Sequence, residues 1–367
     1  MISNLATSIN AFAADLYRAL AATPGNLFFS PASIALAFAM LHAGARGPTA
    51  DELTRVFHFR KDARKDLEKL LADWSTPPTA DQLAVANRLY ADRTATIKDP
   101  FLELLRTVFA APLEPLDFRG APEPARQHIN AWVAERTRDK IRDLLPRGAV
   151  DPATALVLVN AVHFKAKWQD PFKLEHTRPA PFHGAAGERE VPMMTRTGTG
   201  LNVLDGLKVL DLPYRGGTMA MTVVLPDARD GLPDLESWLS DKWLRHWFER
   251  PGSNPVQIHL PRFKIEPQAS LKLKAPLQSL GLVRPFAAPD FSDISDEPLL
   301  IDDAYHQAFV AVDEEGTEAA AATAIPMTRG GPPPPPIPFV ADHPFLFFIR
   351  DVKSGTILFL GRLTDPT

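Results

Sequence analysis

Residues 309–329 read FVAVDEEGTEAAAATAIPMTR, and this stretch does not suit one fixed position in a globular core. Residues 309–312 are apolar and predict a strand that leaves the core. Three acidic residues follow, and then Gly316, which permits a backbone bend. In a strand over 317–323, one face would carry only small, uncharged side chains: Thr317, Ala319, Ala321 and Thr323. A strand with such a face could insert into an existing sheet without steric conflict.

The same stretch also satisfies the requirements of a helix. Alanine is the best helix former, and acidic residues are favoured at a helix N-terminus. Taken alone, the segment favours a short helix or a flexible linker over a strand that can insert into a sheet. The alternatives are compatible if the segment adopts them at different times.

The rest of the 367-residue chain predicts a single α+β domain over 1–367, because no charge run or shift in composition marks a boundary. Helical periodicity dominates the first half. Ser30 and Pro31 predict the start of a buried helix, residues 49–52 (TADE) form a capping box for the next, and a longer helix is expected over 123–145. The apolar run 155–164 then predicts a central strand buried on both faces.

Two hairpins are predicted in the second half of the chain. One spans residues 207–225 around a Tyr-Arg-Gly-Gly turn, and the other joins the apolar runs 345–349 and 357–360. Residues 256–260 alternate between apolar and polar side chains, which predicts another strand.

Composition and charge exclude several classes of protein. Lys and Arg number 40 against 44 Asp and Glu, for a net charge of −4, which is neither a nucleic-acid footprint nor a polybasic membrane anchor. Cysteine is absent, so the chain forms no disulfide and no cysteine-ligated metal site. No leader or membrane span is evident, so we expect a cytoplasmic protein or the mature form of a secreted one. We also expect a monomer.

Recognisable catalytic chemistry is missing. The chain has no phosphate-binding GxxxxGK[ST] loop, no HExxH zinc motif and no GxSxG nucleophile turn. Its ten histidines show no metal-type spacing, and Gly198-Thr199-Gly200 lacks the third glycine of a dinucleotide-binding turn. We therefore expect no enzyme, no cofactor and no metal, with an unrelated hydrolase as the least favoured hypothesis.

Several further motifs occur along the chain in one order. They are 26–33 (NLFFSPAS), 160–168 (NAVHFKAKW), 191–194 (VPMM), 339–349 (FVADHPFLFFI) and 359–362 (FLGR). Together with 314–323 (EEGTEAAAAT), they resemble the serpin family, in which they are the buried second helix, the strand-and-Trp motif, the stretch after it, the C-terminal signature and the reactive-loop hinge. A cysteine-free chain rich in Ala, Pro and Arg resembles prokaryotic, thermostable members.

The resemblance implies a fold of three β-sheets and eight or nine helices, with an exposed reactive-centre loop and a metastable native state. The hinge and loop would occupy 314–338. A serine protease would cut the loop, form an acyl-enzyme and be trapped in a covalent complex as the loop inserts into the main sheet. The alternative is a non-inhibitory serpin, a chaperone or binding protein. Such relatives tend to have bulky, charged or proline-containing hinges, and residues 317–324 have none of these except Glu318.

The resemblance also assigns roles to individual residues. The hinge would comprise Glu314, Glu315, Gly316, Thr317, Glu318, Ala319, Ala320, Ala321, Ala322 and Thr323. A polar cluster that holds and releases the sheet would comprise Ser30, Ser33, Asn160 and His306. An ion pair between Arg284 and Glu314 would lie beside Trp168 at the top of the sheet. The simpler alternatives are a helix cap, a satisfied core histidine and a surface salt bridge of little energy.

The scissile bond has two candidates. Counting by the family's usual loop length leads to Gly330, one residue past Arg329, and cleavage of the Arg329-Gly330 bond would suit a trypsin-like protease with a carboxylate in its specificity pocket. The neighbourhood of Met327-Thr328 instead suits a chymotrypsin- or elastase-like enzyme. Loop length leads us to place Arg329 first. Bonds within the proline run 332–336 would be poor substrates because proline fixes φ and lacks an N–H.

Overall fold

The computed structural model describes residues 4–60, 68, 70–72, 83–248, 252, 254–316 and 335–366. Helices dominate the first half of the chain, as its periodicity predicts. The α-helices with defined bounds are α1 (Asn4–Leu20), α2 (Pro31–His42), α3 (Gly47–Val56), α4 (Asp99–Thr107), α5 (Pro122–Arg136), α6 (Leu232–Trp238), α7 (Asp241–Phe248) and α8 (Lys274–Ser279).

Strands account for most of the second half. They are β1 (Leu27–Phe29), β2 (Leu83–Asp92), β3 (Glu114–Leu116), β4 (Leu156–Phe164), β5 (Arg178–Gly184), β6 (Gly187–Leu204), β7 (Leu207–Pro213), β8 (Met219–Pro226), β9 (Asn254–Pro261), β10 (Phe263–Ile265), β11 (Leu271–Lys272), β12 (Ile301–Val312), β13 (Ile337–Val340), β14 (Phe345–Asp351) and β15 (Ile357–Leu363). The predicted hairpins β7–β8 and β14–β15 and the predicted buried strand β4 are confirmed.

Within the described residues, the strands form two hydrogen-bonded sheets. The nine-stranded sheet has the order β1-β15-β14-β8-β7-β6-β9-β13, with β5 also paired to β6. The long strand β6 connects different neighbours along its length. Its residues 187–193 pair with β5, residues 193–201 pair with β9, and residues 201–204 pair with β7. The six-stranded sheet has the order β10-β12-β4-β2-β3, with β11 also paired to β12.

Helix α2 lies at the centre of the molecule, against β15, β4 and β2. Its residues are apolar on every side, and all of them except His42 are buried. The helix begins as predicted, because the Ser30 side chain accepts a hydrogen bond from the backbone N–H of Ser33 at 3.1 Å and Pro31 occupies the first turn. The first turn of α2 therefore lies against one face of the six-stranded sheet.

Two helix predictions are wrong. Helix α5 ends at Arg136 instead of near residue 145, because Arg138 and Asp139 adopt φ values of 54° and 60°, which no α-helix accommodates.

The expected capping box at 49–52 does not form, because α3 already begins at Gly47. The hydroxyl of Thr49 accepts a hydrogen bond from the backbone N–H of Asp290 at 2.8 Å, and the Glu52 carboxylate accepts from Val283 and Arg284. These two side chains therefore join α3 to a distant loop instead of capping its own first turn.

Over the described residues, no helix has both the length and the apolar character required to cross a bilayer.

Candidate functional site

The centre of the six-stranded sheet is a direct pairing of two parallel strands, β4 and β12. Their ladder runs from Ile301 opposite Leu156 to Phe309 opposite His163, with one irregularity near Ala304. Every residue of β4 is buried, as expected for a strand covered on both faces. An additional strand between β4 and β12 would therefore have to separate this ladder.

The four residues predicted as the sheet-opening cluster lie together at this junction. His306 is directly opposite Asn160 in the ladder, and Ser30 and Ser33 come from the start of α2. The Asn160 Nδ2 lies 2.7 Å from the Ser33 hydroxyl and 2.8 Å from the Ser33 carbonyl oxygen. The Ser30 hydroxyl donates to the carbonyl of Leu358 on β15, at 2.6 Å. The sheet-opening cluster thus joins strands β4 and β12, helix α2 and the nine-stranded sheet.

Hydrogen bonding determines the protonation state of His306. Its Nε2 accepts a hydrogen bond from the Ser30 backbone N–H at 3.0 Å, so Nε2 carries no proton. The single proton of the neutral ring is on Nδ1, which donates to Oδ1 of Asn160. Burial lowers the pKa of His306 from 6.5 to about 3, against an opposing effect of Asn160. The imidazole is therefore neutral at physiological pH. Protonation would add an N–H at Nε2, which would then face the Ser30 backbone N–H, donor against donor.

A fifth member of this network, Asn87 on β2, was not predicted. Its Oδ1 lies 2.6 Å from Asn160 Nδ2 and 3.3 Å from the Ser33 hydroxyl. Asn87 stands directly opposite Asn160 in the antiparallel β2–β4 ladder. The available sequence signal was an amide within the otherwise mostly apolar stretch 83–91.

The hinge follows the C-terminal end of β12, which we call the top of the strand, and it begins in a tight turn. The Asp313 backbone N–H donates to the Gly316 carbonyl at 2.9 Å, and the Asp313 carboxylate accepts from the backbone N–H groups of Glu315 and Gly316. Gly316 has a φ of +145°, and a Cβ there would lie 2.2 Å from the Ala166 carbonyl oxygen. Only glycine fits this close approach of two backbones.

Trp168 holds the hinge from the β4 side. Its backbone N–H donates to the Glu315 carbonyl at 2.9 Å, and its indole N–H donates to the Asp313 carbonyl at 3.0 Å. The indole is stacked on the ring of Tyr214, with centroids 4.6 Å apart. The predicted position of Trp168 beside the hinge agrees with this geometry.

The predicted ion pair between Arg284 and Glu314 is wrong. Glu314 pairs with Arg262 instead and also accepts a hydrogen bond from the Thr177 hydroxyl at 2.6 Å. Arg284 lies in a short 3-10 helix beside α3, where its guanidinium is 3.6 Å from the Glu52 carboxylate. The β10–β12 register explains the difference, because Phe263 opposite Val312 places Arg262 beside the hinge. Only the register of β10 on β12 identifies Arg262, and no local pattern in the sequence reveals that register.

The environment of Glu314 favours its charged form. Burial alone would raise the pKa of this carboxyl, but the Arg262 guanidinium and the Thr177 hydroxyl outweigh burial and lower the pKa below its ordinary value. Glu314 is therefore ionised at neutral pH, and its charge holds the hinge against Arg262 at the junction of β9 and β10.

The remaining predicted residues lie outside the described part of the chain. They are Thr317, Glu318, Ala319, Ala320, Ala321, Ala322 and Thr323 of the hinge, and Met327, Thr328, Arg329 and Gly330 of the two candidate bonds. Their roles stay predictions.

Comparison with known proteins gives consistent results. Residues 7–366 match the family model described as Serpin (serine protease inhibitor). An uncharacterized serpin-like protein of Thermococcus kodakarensis is 40% identical over 98% of this chain and 85% of its own length. The leukocyte elastase inhibitor of Sus scrofa is 40% identical over the full length of both chains. The crystal structure of uncleaved ovalbumin has a TM-score of 0.88 and 30% identity, over 99% of this chain and 100% of that one.

Proposed function

The chain belongs to the serpin family and has the serpin fold, and on that premise we propose that it inhibits a serine protease by the suicide-substrate mechanism. Protease inhibition is the activity that the family description and the elastase inhibitor among its relatives name. In the proposed mechanism, cleavage of the reactive loop leaves the protease attached as an acyl-enzyme. Insertion of the loop between β4 and β12 then carries the attached enzyme across the molecule, away from the newly formed amino terminus on the other side of the cut.

The observation that supports this proposal most directly is the direction of the strands around the hinge. Strands β4 and β12 are parallel, and the chain leaves β12 through the turn at Gly316. A segment that folded back there would run antiparallel to both strands, so both of its edges would form antiparallel ladders. The small side chains at positions 317, 319, 321 and 323 would share one face of that inserted strand.

Insertion would be strongly favourable. Insertion would replace the one β4–β12 ladder by two ladders, a gain of roughly ten hydrogen bonds, each worth about 1 kcal/mol net. This sum is comparable to the whole stability of an ordinary domain, about 5–15 kcal/mol. The uncut protein would therefore be metastable with respect to the inserted form, and this difference in free energy would drive the displacement of the protease.

The sheet-opening cluster would oppose insertion until cleavage. The contact between His306 and Asn160 spans the β4–β12 junction, so separating these strands breaks it. Asn160 would keep its partners on α2 and β2 in the open sheet, because they do not lie on β12. In the closed sheet the cluster thus includes a specific hydrogen bond across the β4–β12 junction, and separation of the two strands must break it.

The decisive experiment is incubation with trypsin and, separately, with chymotrypsin and elastase, followed by a denaturing gel. An inhibitor gives a band at the summed mass of protein and protease. Clean cleavage with full protease activity remaining would support the alternative, a non-inhibitory serpin that acts as a chaperone or binding protein. Sequencing of the released C-terminal fragment distinguishes Arg329-Gly330 from Met327-Thr328.

The variant Thr317→Arg tests the insertion step in the same assay. An arginine on the inserting face would be buried without a partner, which is costly, so the variant should be cleaved as a substrate without forming the stable complex. Glu318→Arg is the matched control, because position 318 lies on the opposite face and should leave complex formation largely intact. A stable complex with Thr317→Arg would contradict insertion at this hinge.

A further inference from the structure

The six-stranded sheet has a second side-chain contact across the β4–β12 junction, on the face opposite the sheet-opening cluster. Side chains alternate between the two faces of a strand, so Phe309 and His163 lie on the other face from His306 and Asn160. Phe309 stands directly opposite His163 in the ladder, and the centroids of their rings are 5.7 Å apart. Both residues are buried. The two rings therefore bridge the junction on the side that the cluster does not reach.

Two lysines from neighbouring segments approach the Phe309 ring. Nζ of Lys140 lies 5.1 Å from the ring centroid, and Nζ of Lys264 lies 5.5 Å from it. Both distances are within the roughly 6 Å over which a cation is attracted to the face of an aromatic ring. Lys264 belongs to β10, and Lys140 belongs to the chain that follows α5. Phe309 thus joins β12 to β4, to β10 and to the segment after α5.

The end of α5 fixes the position of Lys140. Arg138 and Asp139 turn the chain out of the helix with φ values of 54° and 60°. The Asp139 backbone N–H donates to the Ala134 carbonyl at 2.7 Å, and the Lys140 backbone N–H donates to the Thr137 carbonyl at 3.1 Å. These bonds hold the backbone of Lys140 against the helix, so its side chain extends from a fixed base to the aromatic ring.

The segment after α5 (137–145) packs on both central strands. Its buried apolar side chains form one cluster with side chains of β4 and with Tyr305 of β12; the cluster includes Ile141, Leu144 and Leu145 of the segment and Val157, Val159 and Ala161 of β4. Asn130 of α5 fixes the end of the segment, because its Nδ2 donates to the Leu145 carbonyl at 3.0 Å and its Oδ1 accepts from the Leu145 backbone N–H at 2.9 Å. The segment therefore holds Lys140 over the junction while the two strands are paired.

Separation of β4 from β12 would disrupt this arrangement. Neighbouring strands lie about 4.8 Å apart, so a strand inserted at the junction would move Phe309 roughly one strand spacing further from His163. The segment 137–145 packs on both strands, so it must lose its contacts with at least one of them as they part. The contact between the two rings consequently belongs to the closed sheet.

We propose that Phe309 is a positioning residue that clamps β12 to β4 on the face opposite the sheet-opening cluster, through His163 across the junction and through the cations of Lys140 and Lys264. This Phe309 clamp stabilises the closed sheet and slows the entry of a further strand. Weakening the clamp should raise the population of the open sheet even in the uncut chain. The effect on loop insertion rests on the proposed function, whereas the clamp in the uncut chain does not.

Hydrogen–deuterium exchange of the uncut full chain, measured by mass spectrometry, tests the clamp without a target protease. Lys140→Gln removes the cation from the Phe309 ring. Exchange of the backbone amides of β4 and β12 should become about two- to fivefold faster, since a cation–π contact at a partly exposed site changes an equilibrium by roughly that factor. Exchange in the β14–β15 hairpin, which belongs to the other sheet, should stay at the wild-type rate.

Three further variants separate the contact with the ring from other roles of the lysine. Lys140→Arg keeps a cation that can stack on the ring, so it should restore wild-type exchange. Phe309→Leu removes the ring and keeps an apolar side chain, so Lys140→Gln should have little additional effect in that background. Lys272→Gln is the matched control, because this exposed lysine of β11 also lies beside β12 but outside the clamp.

Unchanged exchange in Lys140→Gln would overturn the clamp. Equal acceleration in Lys272→Gln or throughout the β14–β15 hairpin would also overturn it, as would an undiminished effect of Lys140→Gln in the Phe309→Leu background. These results are distinguishable from failure of the proposed function. A chain that forms no covalent complex with a protease but shows the local, ring-dependent acceleration retains the clamp and loses only its effect on insertion.

Discussion

The sheet-opening cluster and the ion pair of the hinge both hold β12 in place, but by different physical means and against different neighbours: β4 for the cluster, and the β9–β10 junction for the ion pair. The cluster is buried, neutral and rich in hydrogen bonds, and its central imidazole carries no charge. The hinge is held by the ionised pair of Glu314 and Arg262, in which the arginine side chain is 41% exposed. The middle of the sheet should therefore resist opening with more free energy, while the ion pair at the end of β12 should respond to salt.

The largest expected effect is the loss of Asn160. Asn160→Ala removes the shared partner of His306, Ser33 and Asn87, leaves the buried Nδ1–H of His306 without its acceptor, and reduces Ser33 and Asn87 to the bonds they make with each other. We expect a loss of about 3 kcal/mol in the free energy of the first unfolding transition. Urea titration followed by circular dichroism measures it. A loss below about 1 kcal/mol, the scale of an exposed polar contact, would contradict a cooperative network.

The second effect is a loss of stability in mild acid. The pKa of His306 is about 3 in the folded chain and 6.5 when unfolded, so below pH 6.5 the unfolded chain binds a proton that the native state excludes. Its contribution is fully present above 6.5 and falls as pH falls toward 3. At about pH 5 the loss is about 2 kcal/mol.

Urea titrations at neutral pH and at about pH 5, on wild type and on His306→Gln, measure this contribution. The glutamine variant lacks the titrating ring and should lose less stability on acidification than wild type does. An identical pH dependence in both proteins would contradict the assignment of the effect to His306.

The third effect concerns the close approach at the hinge. Gly316→Ala places a Cβ 2.2 Å from the Ala166 carbonyl oxygen, so the contact between the turn and the β4 side must open. We expect a loss of about 1 kcal/mol or more in the unfolding free energy.

Gly206→Ala is the matched control for Gly316→Ala. Gly206 has a φ of +77° and open space around it, so its variant carries the backbone strain without the clash. If the hinge beside Trp168 is displaced, tryptophan fluorescence should differ from that of wild type more in Gly316→Ala than in Gly206→Ala. Equal effects of both substitutions on stability and fluorescence would show that the close approach contributes nothing.

The smallest effect is the coupling of the hinge ion pair. Solvent reaches this pair mainly from the Arg262 side, which is 41% exposed against 8% for Glu314, so we expect a coupling of about 1 kcal/mol that salt weakens. A double-mutant cycle of Glu314→Gln with Arg262→Gln should show coupling on this scale that declines with salt. The parallel cycle with Arg284→Gln should be additive, because Arg284 lies beside Glu52. Coupling in the second cycle and additivity in the first would reverse the assignment.

Sequence patterns predicted the strands better than the contacts between them. The buried run of β4 and both hairpins follow from local periodicity, so they were predictable. The four residues of the sheet-opening cluster came from matched motifs and do lie together. The end of α5 was mispredicted because it depends on the left-handed backbone at Arg138 and Asp139, which periodicity does not encode.

The two missed site residues share one cause. Asn87 and Arg262 join the site through the registers of β2 on β4 and of β10 on β12. Strand register is a long-range property, set by packing between segments far apart in the chain. The mistaken pairing of Glu314 with Arg284 came instead from the serpin resemblance, and the structure places Arg284 beside Glu52.

The central claim is that the uncut chain is metastable and that its loop completes the six-stranded sheet after cleavage. Differential scanning calorimetry of intact protein and of protein nicked in the reactive loop tests it most directly. The nicked form should unfold at a much higher temperature, because roughly ten additional hydrogen bonds stabilise it. Superimposable traces for the two forms would contradict the account.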